Sequence, residues 1–368
     1  MDKYKICVYA ISKNEEHFVE RWMDSVSEAD LVVVLDTGST DKTVEKLRRR
    51  GAVVYEEVIS PWRFDKARNR ALDHVPQNMD ICVSNDIDEV FEPGWRKKLE
   101  DAWGDEYTRA SYSFVWSHNP DGSIKKQYIM EKVHLRQNFR WVHPVHEVLE
   151  YSGTDEDKTV WVEGMVLHHY PDLSKPRSQY LPLLELSVQE NPHDDRAMFW
   201  LGREYMYHKK YEQGIKTLEK HLSLPNAKWK EERSASMRYI AHCFKAMGNR
   251  KQALSWLYRA VAECPGVREP YLALAKMGYE DKNWPLLHAM VRHALAITHH
   301  SGSYLTESES WGSALYDLGA IAAYNLGLYD LSADHAEKAC QLSPDDKRLK
   351  ANLTLIRKKL DEKKGDLP

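Results

Sequence analysis

The chain has 368 residues, of which 42% are hydrophobic and 29% are charged, and its formal net charge is −4. This length accommodates two domains with separate cores, and the composition is that of a globular rather than a disordered protein. The charge argues against a general nucleic-acid binder, no apolar run approaches the ~20 residues of a membrane span, and the first residues lack the apolar core of a signal peptide, so we expect a cytoplasmic protein.

The first half of the chain alternates apolar runs with amphipathic stretches. The predicted strands cover residues 5–11, 31–36, 52–57 and 80–86, and the predicted helices cover residues 14–26, 40–50 and 65–74. Continuous apolar runs are typical of strands that are buried on both faces, so we predict a mostly parallel α/β sheet flanked by helices. Ligands bind beyond the carboxyl ends of such strands, where this sequence places Ser12, Asp36 and Asp86.

After about residue 104 the pattern changes to longer alternating segments. Residues 109–117 and 124–135 flank Asn119-Pro120-Asp121-Gly122, which predicts a β-hairpin. Two His-rich stretches follow, WVHPVHEV at residues 141–148 and VLHHYPD at residues 166–172.

From about residue 181 the pattern is helical and repeats. Predicted turns within helix pairs lie at residues 210–211, 249–250, 283–284 and 328–329, separated by 39, 34 and 45 residues. A recurring small residue, an aromatic residue and Gly before the turn are similar to the tetratricopeptide repeat. We therefore expect about four helix pairs and a final helix near residues 346–359, stacked as a solenoid.

These patterns predict a catalytic domain at residues 1–175 and a helical repeat domain at residues 176–368. The first has 24 Lys and Arg against 32 Asp and Glu, and the second has 28 against 24. This difference fits two ordinary surfaces, or a mildly basic second domain that docks an acidic acceptor.

The segment DTGSTDKT, residues 36–43, follows a predicted buried strand and opens a predicted helix. Gly38 permits a tight turn, Asp36 can accept a hydrogen bond from the N–H of a base such as uracil, and the helix start can face phosphates. The segment is also compatible with a merely well-capped strand–turn–helix.

The segment VSNDIDEVFEP, residues 83–93, concentrates carboxylates at the end of another predicted buried strand. Asp86 and Asp88 supply the hard oxygen ligands that suit Mg²⁺ or Mn²⁺ shared with a diphosphate. In the alternative, Asp86 and Glu89 only cap a following helix.

Four ordered motifs, KNEE (13–16), DTGSTDKT (36–43), RFDKARNRAL (63–72) and NDIDEVF (85–91), resemble the family-two glycosyltransferases with a GT-A fold. The sequence is similar in particular to the bacterial and phage branch in which a tetratricopeptide-like domain follows. This resemblance implies a nucleotide-sugar donor, a divalent metal, Mn²⁺ or Mg²⁺, bound at a DXD motif, and inversion at the anomeric carbon.

The resemblance also implies roles at the donor site. Ser12 and Glu15 would border the nucleoside pocket, and Asp36, in the turn with Gly38, would contact the base. Arg68 would lie near the base or the diphosphate.

The implied metal ligands come from two segments. Asp88 would be the principal ligand, and Asp86 would contact the ribose or the metal, while Ile87 in the usual Ala or Ser position points away. VLHHYPD resembles the family's late apolar-His-Tyr-Gly element, which makes His169 the first choice for an additional ligand and His168 the second. Pro171 replaces the usual Gly, and a pair of structural histidines is the alternative.

An inverting transfer needs a base that deprotonates the acceptor. WVHPVHEV resembles a His-Glu element at the acceptor side, which implies Glu147 as the base and His146 as its positioning partner. Glu89 is a rival base, His143 and His146 are alternative metal ligands, and a loop-fixing role for His146 and Glu147 stays open.

The resulting hypothesis is a hexose transfer from a UDP-sugar to a peptide or protein side chain. A saccharide or lipid-linked glycan is the second acceptor class, a phage DNA base is disfavoured by the acidic first domain, and dimerisation through the helical domain is expected. Nucleotidyl transfer would need a Gly-rich loop where the sequence reads AISKNEEH. A non-catalytic adaptor that binds partners through its repeats is the remaining alternative.

Overall fold

The computed structural model describes residues 3–172 and 180–365, which form two compact units at residues 1–190 and 191–368. The predicted domain boundary at residues 175 and 176 lies outside the described residues. No helix in the described ranges is long and apolar enough to cross a membrane.

The first unit contains ten strands and five helices among its described residues. The strands are β1 (Ile6–Ser12), β2 (Leu31–Asp36), β3 (Val53–Glu56), β4 (Ile81–Ser84), β5 (Glu89–Phe91), β6 (Arg109–His118), β7 (Ile124–Leu135), β8 (Phe139–Val142), β9 (Val148–Tyr151) and β10 (Thr159–His169). The helices are α1 (Val19–Ser25), α2 (Thr43–Arg49), α3 (Phe64–Asp73), α4 (Trp95–Ala102) and α5 (Tyr180–Glu190).

Eight strands form one sheet in the order β3-β2-β1-β4-β7-β6-β10-β5, and β8 pairs with β9 in a separate ribbon. The first four strands run parallel, β10 runs parallel to β6, and β7 and β5 pair antiparallel with their neighbours. This confirms the predicted mostly parallel sheet. The predicted hairpin is also present, with Gly122 at φ +84° donating its N–H to the Asn119 carbonyl at 2.9 Å.

Both faces of β1, β2 and β4 are buried, as their continuous apolar sequence indicates, whereas the edge strand β3 is largely exposed. Successive residues of β1 alternate between two cores: Val8 packs in the core that contains Trp22 and Trp95, and Tyr9 packs in the core that contains Leu72 and Trp141. The two cores pack on opposite faces of the sheet and hold the strands in place. Polar side chains lie at the carboxyl ends of these strands.

The described part of the second unit is a series of helix pairs. Its helices are α6 (Asp195–Tyr207), α7 (Tyr211–Ser223), α8 (Lys230–Ala246), α9 (Arg250–Glu263), α10 (Glu269–Glu280), α11 (Trp284–Ala296), α12 (Ala314–Asn325), α13 (Tyr329–Leu342) and α14 (Lys347–Gly365). The second helix of each pair begins at the predicted position. The first helices α6, α8, α10 and α12 also pack on one another in sequence, which confirms the predicted repeat architecture.

Candidate active site

The DTGS turn after β2 is closed by the Asp36 side chain. Its carboxylate accepts hydrogen bonds from the Ser12 hydroxyl at 2.9 Å, from the Ser39 N–H at 2.8 Å and from the Gly38 N–H at 3.0 Å. Gly38 has φ +107°, a conformation that favours glycine. Asp36 is 2% exposed, and its hydrogen bonds fix the conformation of the turn. The predicted contact with the base would be an additional role.

The KNEE segment is bound to this turn along its length. Asn14, at φ +55°, accepts the Thr40 N–H at 2.8 Å, and the Glu15 N–H donates to the Thr43 hydroxyl at 2.7 Å. Because Ser12 and Asp36 are also paired across β1 and β2, the residues predicted to border the nucleoside lie together at the carboxyl edge of the sheet.

Two carboxylates of the acidic segment, Asp86 and Glu89, are held by basic side chains of the same domain. Arg68 donates to both Asp86 oxygens at 2.7 and 3.0 Å, and the Lys132 ammonium lies 3.0 Å from both Asp86 and Glu89. Glu89 also accepts the Asp86 N–H at 2.9 Å. Arg68 and Lys132 therefore offset the mutual repulsion of the Asp86 and Glu89 carboxylates. We refer to Arg68, Asp86, Glu89, Lys132 and Glu147 as the buried ion cluster.

Burial and neighbouring charges together shift the pKa values of Asp86, Glu89 and Lys132. Burial raises the pKa of Asp86, but Arg68 and Lys132 outweigh it and hold that pKa well below its usual range. Burial raises the pKa of Glu89, and Asp86 and Asp88 add to the increase despite Lys132. Burial lowers the pKa of Lys132, yet Asp86 and Glu89 raise it overall.

Helix α3 connects the ion cluster to the loop between β8 and β9. The Arg68 Nε donates to Glu147 at 2.5 Å, and the Asn69 side chain bonds the Trp141 carbonyl at 2.8 Å and its N–H at 2.9 Å. The Phe64 N–H donates to the Pro144 carbonyl at 3.0 Å. The Arg-Asn motif thus fixes the predicted acceptor-side element directly beside Asp86.

Glu147 and His146 differ in their environment within that element. Glu147 has a side chain that is 11% exposed and bound to Arg68. His146 has φ +53°, and its ring stacks on Tyr180 of α5 at 5.8 Å between centroids. The structure therefore places the predicted base within the buried ion cluster and the predicted positioning residue against α5.

Asp88 and His169 meet outside the ion cluster. The His169 Nε2 lies 3.3 Å from the Asp88 carboxylate, and the Nδ1 lies 3.3 Å from the Trp116 carbonyl, to which it must donate because a carbonyl only accepts. Trp116 also stacks on the imidazole, with centroids 4.5 Å apart. The Tyr170 N–H bonds the Asp88 carbonyl at 2.8 Å, which holds the two segments together.

The Asp88–His169 contact brings together two atoms that both accept when the imidazole is neutral. When Nδ1 carries its proton, a neutral imidazole presents an acceptor nitrogen to an acceptor carboxylate, so a proton or a metal ion must lie between them. Burial lowers the pKa of His169, but the hydrogen bond and charge of Asp88 raise it overall. The other predicted ligand, Asp86, is bound to Arg68 and Lys132 instead.

No three His, Cys, Asp or Glu side chains within residues 3–172 and 180–365 are grouped so that they could hold a metal by themselves. Asp88 and His169 supply one oxygen and one nitrogen ligand of types that suit Mn²⁺. The remaining ligands would have to come from a bound diphosphate and water.

His168 faces a different set of residues. Its Nδ1 lies 3.0 Å from His118 and its Nε2 lies 3.0 Å from Glu92. Since neighbouring strand residues alternate in direction, His168 cannot join His169 at Asp88.

Sequence reasoning did not find Lys132 or the role of Trp116. Lys132 adjoins Val133, which pairs with Val83 of β4, so the antiparallel register brings its ammonium to the Asp86 carboxylate. Lys132 is one of four charged residues in β7, and nothing in the sequence distinguishes it, because the pairing of β7 with β4 is not visible there.

A buried relay lies beneath Arg68. The Trp141 indole donates to the Tyr9 hydroxyl at 2.8 Å, and that hydroxyl lies 2.9 Å from the His134 Nε2. The His134 Nδ1 lies 2.6 Å from the Leu135 carbonyl and donates to it, so Nε2 accepts the Tyr9 proton. His134 is fully buried, and burial lowers its pKa to about 3.

We expect His134 to make folding stability depend on pH. Below the unfolded pKa of about 6.5, the unfolded chain binds a proton that the native relay excludes, so stability falls as pH decreases towards 3. Between pH 7.5 and 5.5 this should remove about 1 kcal/mol of the free energy of unfolding, measured by urea denaturation. His134→Gln should reduce that pH dependence, whereas the matched exposed variant His17→Gln should keep it; an unchanged dependence in His134→Gln would contradict this assignment.

Comparison with known proteins agrees with this site. Residues 7–154 match the family model Glycosyl transferase family 2, and this match includes all four motifs. A search of curated proteins finds no match. The family match covers the sheet edge where Ser12, Asp36, Asp86 and Asp88 lie.

Several solved helical structures are similar to part of the chain. MamA shares 14% identity with it at a TM-score of 0.36, over 47% of this chain and 86% of its own. PilF from Pseudomonas aeruginosa shares 12% identity at 0.38, over 48% and 72%. The C-terminal part of a TPR repeat-containing protein from Cytophaga hutchinsonii shares 15% at 0.40, over 50% and 68%. Residues 7–154, which include most of the GT-A-like sheet, match the family-two glycosyltransferases, and a domain of helix pairs follows this catalytic domain.

Proposed function

We propose that this protein is a metal-dependent, inverting hexosyltransferase that uses a UDP-linked sugar and transfers it to a peptide or protein side chain. The observation that carries the proposal is the Asp88–His169 pair, which needs a proton or a metal ion between its two side chains and lies at the same end of the sheet as the Ser12–Asp36 turn. An enzyme of this class needs a base-reading turn and a diphosphate-binding metal side by side.

The metal would be held by Asp88 and His169. When bound, Mn²⁺ or Mg²⁺ supplies positive charge that stabilises the departing diphosphate. Hydrogen bonding of Nδ1 to the Trp116 carbonyl orients the His169 ring for such a role.

The donor would be held by the DTGS turn and its neighbours. In this proposal Ser12, Glu15, Asp36 and Gly38 bind the nucleoside, with Asp36 reading the base. Asp86 faces the ribose or the metal, and Arg68 orients Asp86 from beneath through its two hydrogen bonds. The exposure of the two side chains supports these separate roles: Asp86 is 26% exposed and can meet a ligand, whereas Arg68 is 6% exposed.

Glu147 is the base we propose, with His146 as its positioning residue. Both oxygens of the rival, Glu89, already accept hydrogen bonds, from the Asp86 N–H and from Lys132. Glu147 lies in the element that α3 holds against Asp86, which is where an acceptor would approach the sugar.

Glu147→Gln should lower kcat by roughly a hundredfold or more with little change in KM, because Gln keeps the hydrogen bond from Arg68 but cannot take a proton. Glu89→Gln should lower it less than tenfold, and the exposed Glu150→Gln is the matched control on β9. Steady-state kinetics with a defined acceptor measure this, and the opposite ranking would assign the base to Glu89.

The peptide or protein acceptor is supported by the series of helix pairs that follows the catalytic domain, since stacked pairs provide an extended surface for a chain. A saccharide, a lipid-linked glycan and a phage DNA base are the alternative acceptors. Self-association through the helical domain stays a prediction.

A donor screen tests the proposal directly. UDP release is first measured for a series of UDP-hexoses in the presence of Mn²⁺ and the absence of acceptor. Candidate peptides and proteins are then incubated with the donor and analysed by mass spectrometry. We expect slow donor hydrolysis with one sugar and a mass increase of one hexose on an acceptor. Absence of both UDP binding by calorimetry and UDP release would contradict the proposal and favour a non-catalytic adaptor.

A further inference from the structure

The connection between α11 and α12 lies across the first helices of three pairs. We call residues 298–310 of this connection the strap. Within the second unit, Glu307 of the strap contacts α8 and Glu309 contacts α10. Its Tyr304 ring contacts Trp200 of α6. Such a long connection without a strand or α-helix is uncommon in a compact repeat array, where pairs are joined by short turns.

Arg268, at the start of α10, holds both ends of the strap. Its guanidinium donates twice to the Ile297 carbonyl, at 2.6 and 2.9 Å, and once to the Ser310 carbonyl at 3.4 Å. It also lies 3.9 Å from the centre of the Trp311 ring. The strap is therefore a loop whose two ends are held together at its base by Arg268.

An aromatic anchor holds the middle of the strap. The Tyr304 ring stacks on Trp200 at 5.4 Å and meets Trp229 edge-on at 5.5 Å. Its hydroxyl donates to Glu232 of α8 at 2.8 Å. An aromatic ring with a satisfied polar end between two indoles is a typical anchor for a bound chain.

Acidic side chains beyond the anchor meet cations of the helices. Glu307 accepts from Arg238 of α8 at 2.7 Å, and Glu309 lies 2.6 Å from Lys276 of α10. The Arg238 side chain is only 10% exposed, whereas Glu307 is 43% exposed, so the fixed member of this pair belongs to the helix. Between them and the anchor, Leu305 is buried.

The strap is held to the helices by its side chains and by one backbone bond, from the Glu307 N–H to Glu269 of α10 at 3.0 Å. Other backbone bonds of the strap are local. The Thr306 N–H donates to the Ser303 carbonyl and the Ser310 N–H to the Glu307 carbonyl. A chain of the same side-chain pattern can replace such contacts, because the cations and indoles it would use are already fixed on the helices.

We propose that the face formed by α6, α8 and α10 is a peptide-binding surface that the strap occupies as an internal ligand. The partner it fits is a peptide that can adopt the turns of the strap, with Tyr followed by Leu and with carboxylates three and five residues after the Tyr, as in Tyr304, Leu305, Glu307 and Glu309. Binding of that partner displaces the middle of the strap while Arg268 keeps its base closed. This inference is independent of sugar transfer.

A labelled peptide with the sequence of residues 301–310, SGSYLTESES, tests the proposal. Fluorescence anisotropy is measured with the full chain and with a Tyr304→Ala, Glu307→Gln variant whose strap is weakened. The variant should bind the peptide at least tenfold more tightly than the unaltered chain, because its face is less occupied. Peptides with Tyr→Ala or both Glu→Gln should bind at least tenfold more weakly.

Adding Arg238→Ala to the weakened variant should abolish the gain, whereas Arg348→Ala, an ion-paired Arg on α14 away from the strap, should not. Hydrogen exchange on the unaltered chain gives a second measurement, since excess peptide should speed exchange in residues 301–309. Equal binding to the Arg238 and Arg348 variants would overturn the proposal. So would absence of both binding and faster exchange.

Discussion

Replacing Asp88 with Asn is expected to lower UDP release at least a hundredfold in the presence of Mn²⁺ and to weaken Mn²⁺ binding measured by calorimetry with UDP. The reason is the lone carboxylate that Asp88 presents to His169: without its charge, the site loses the only anionic ligand that the structure brings to that imidazole among its described residues. The Asp88 side chain is 27% exposed, so stability should change by less than about 0.5 kcal/mol.

Two comparisons make the Asp88 result specific. Asp101→Asn, an exposed carboxylate of α4 paired with Lys97, should leave both UDP release and Mn²⁺ binding unchanged. His169→Ala should weaken Mn²⁺ binding in the same direction as Asp88→Asn, while His168→Ala should not, since His168 bonds His118 and Glu92. If Asp88→Asn retained UDP release within twofold, the Asp88–His169 pair would be structural and the proposed metal site would be wrong.

Local periodicity predicted most elements because each depends on neighbouring residues. Strand β7 was predicted at its observed bounds, and the second helix of each pair starts where the sequence indicated. At two of these starts an Asn cap is the physical signal: Asn249 accepts the Gln252 N–H and Asn283 accepts the Leu286 N–H, both at 3.2 Å.

Two errors in the predicted helix starts lie at the candidate site. The first helix was predicted from residue 14 but begins at Val19, because Asn14 adopts φ +55° and binds Thr40. The next helix was predicted from residue 40 but begins at Thr43 for the same reason. Here contacts between two distant segments override local propensity, which is typical of functional loops.

The acidic segment shows what the sequence cannot specify. Its position at a strand end was predictable, but the partners of its carboxylates depend on strand order. Lys132 reaches Asp86 only because β7 inserts next to β4, and His169 reaches Asp88 only because β10 pairs with β5. The segment after Asp88 is accordingly a short strand, β5, and the following helix begins at Trp95 after the left-handed Gly94.

The largest expected effect on stability comes from Arg68. Its side chain is 7% exposed and neutralises two carboxylates, Asp86 through two hydrogen bonds and Glu147 through a third. Arg68→Met should cost about 3–5 kcal/mol of the free energy of unfolding, measured by urea denaturation, because it leaves buried carboxylates without their partner. The cost of Arg68→Lys should lie between zero and the cost of Arg68→Met, since an ammonium keeps the charge but cannot reproduce the planar contact with Asp86.

Helix α3 contains its own control. Arg70 pairs with Glu57 at the surface, with 45% of its side chain exposed, so Arg70→Met should cost less than about 1 kcal/mol. If Arg68→Met is costly because it leaves a carboxylate without its cation, the double variant Arg68→Met, Glu147→Gln should recover part of the lost free energy of unfolding. A neutral amide needs no cation. An equal cost for the Arg68 and Arg70 variants, or no recovery with Glu147→Gln, would mean that the buried ion cluster does not hold the acceptor-side loop to the acidic segment through charge.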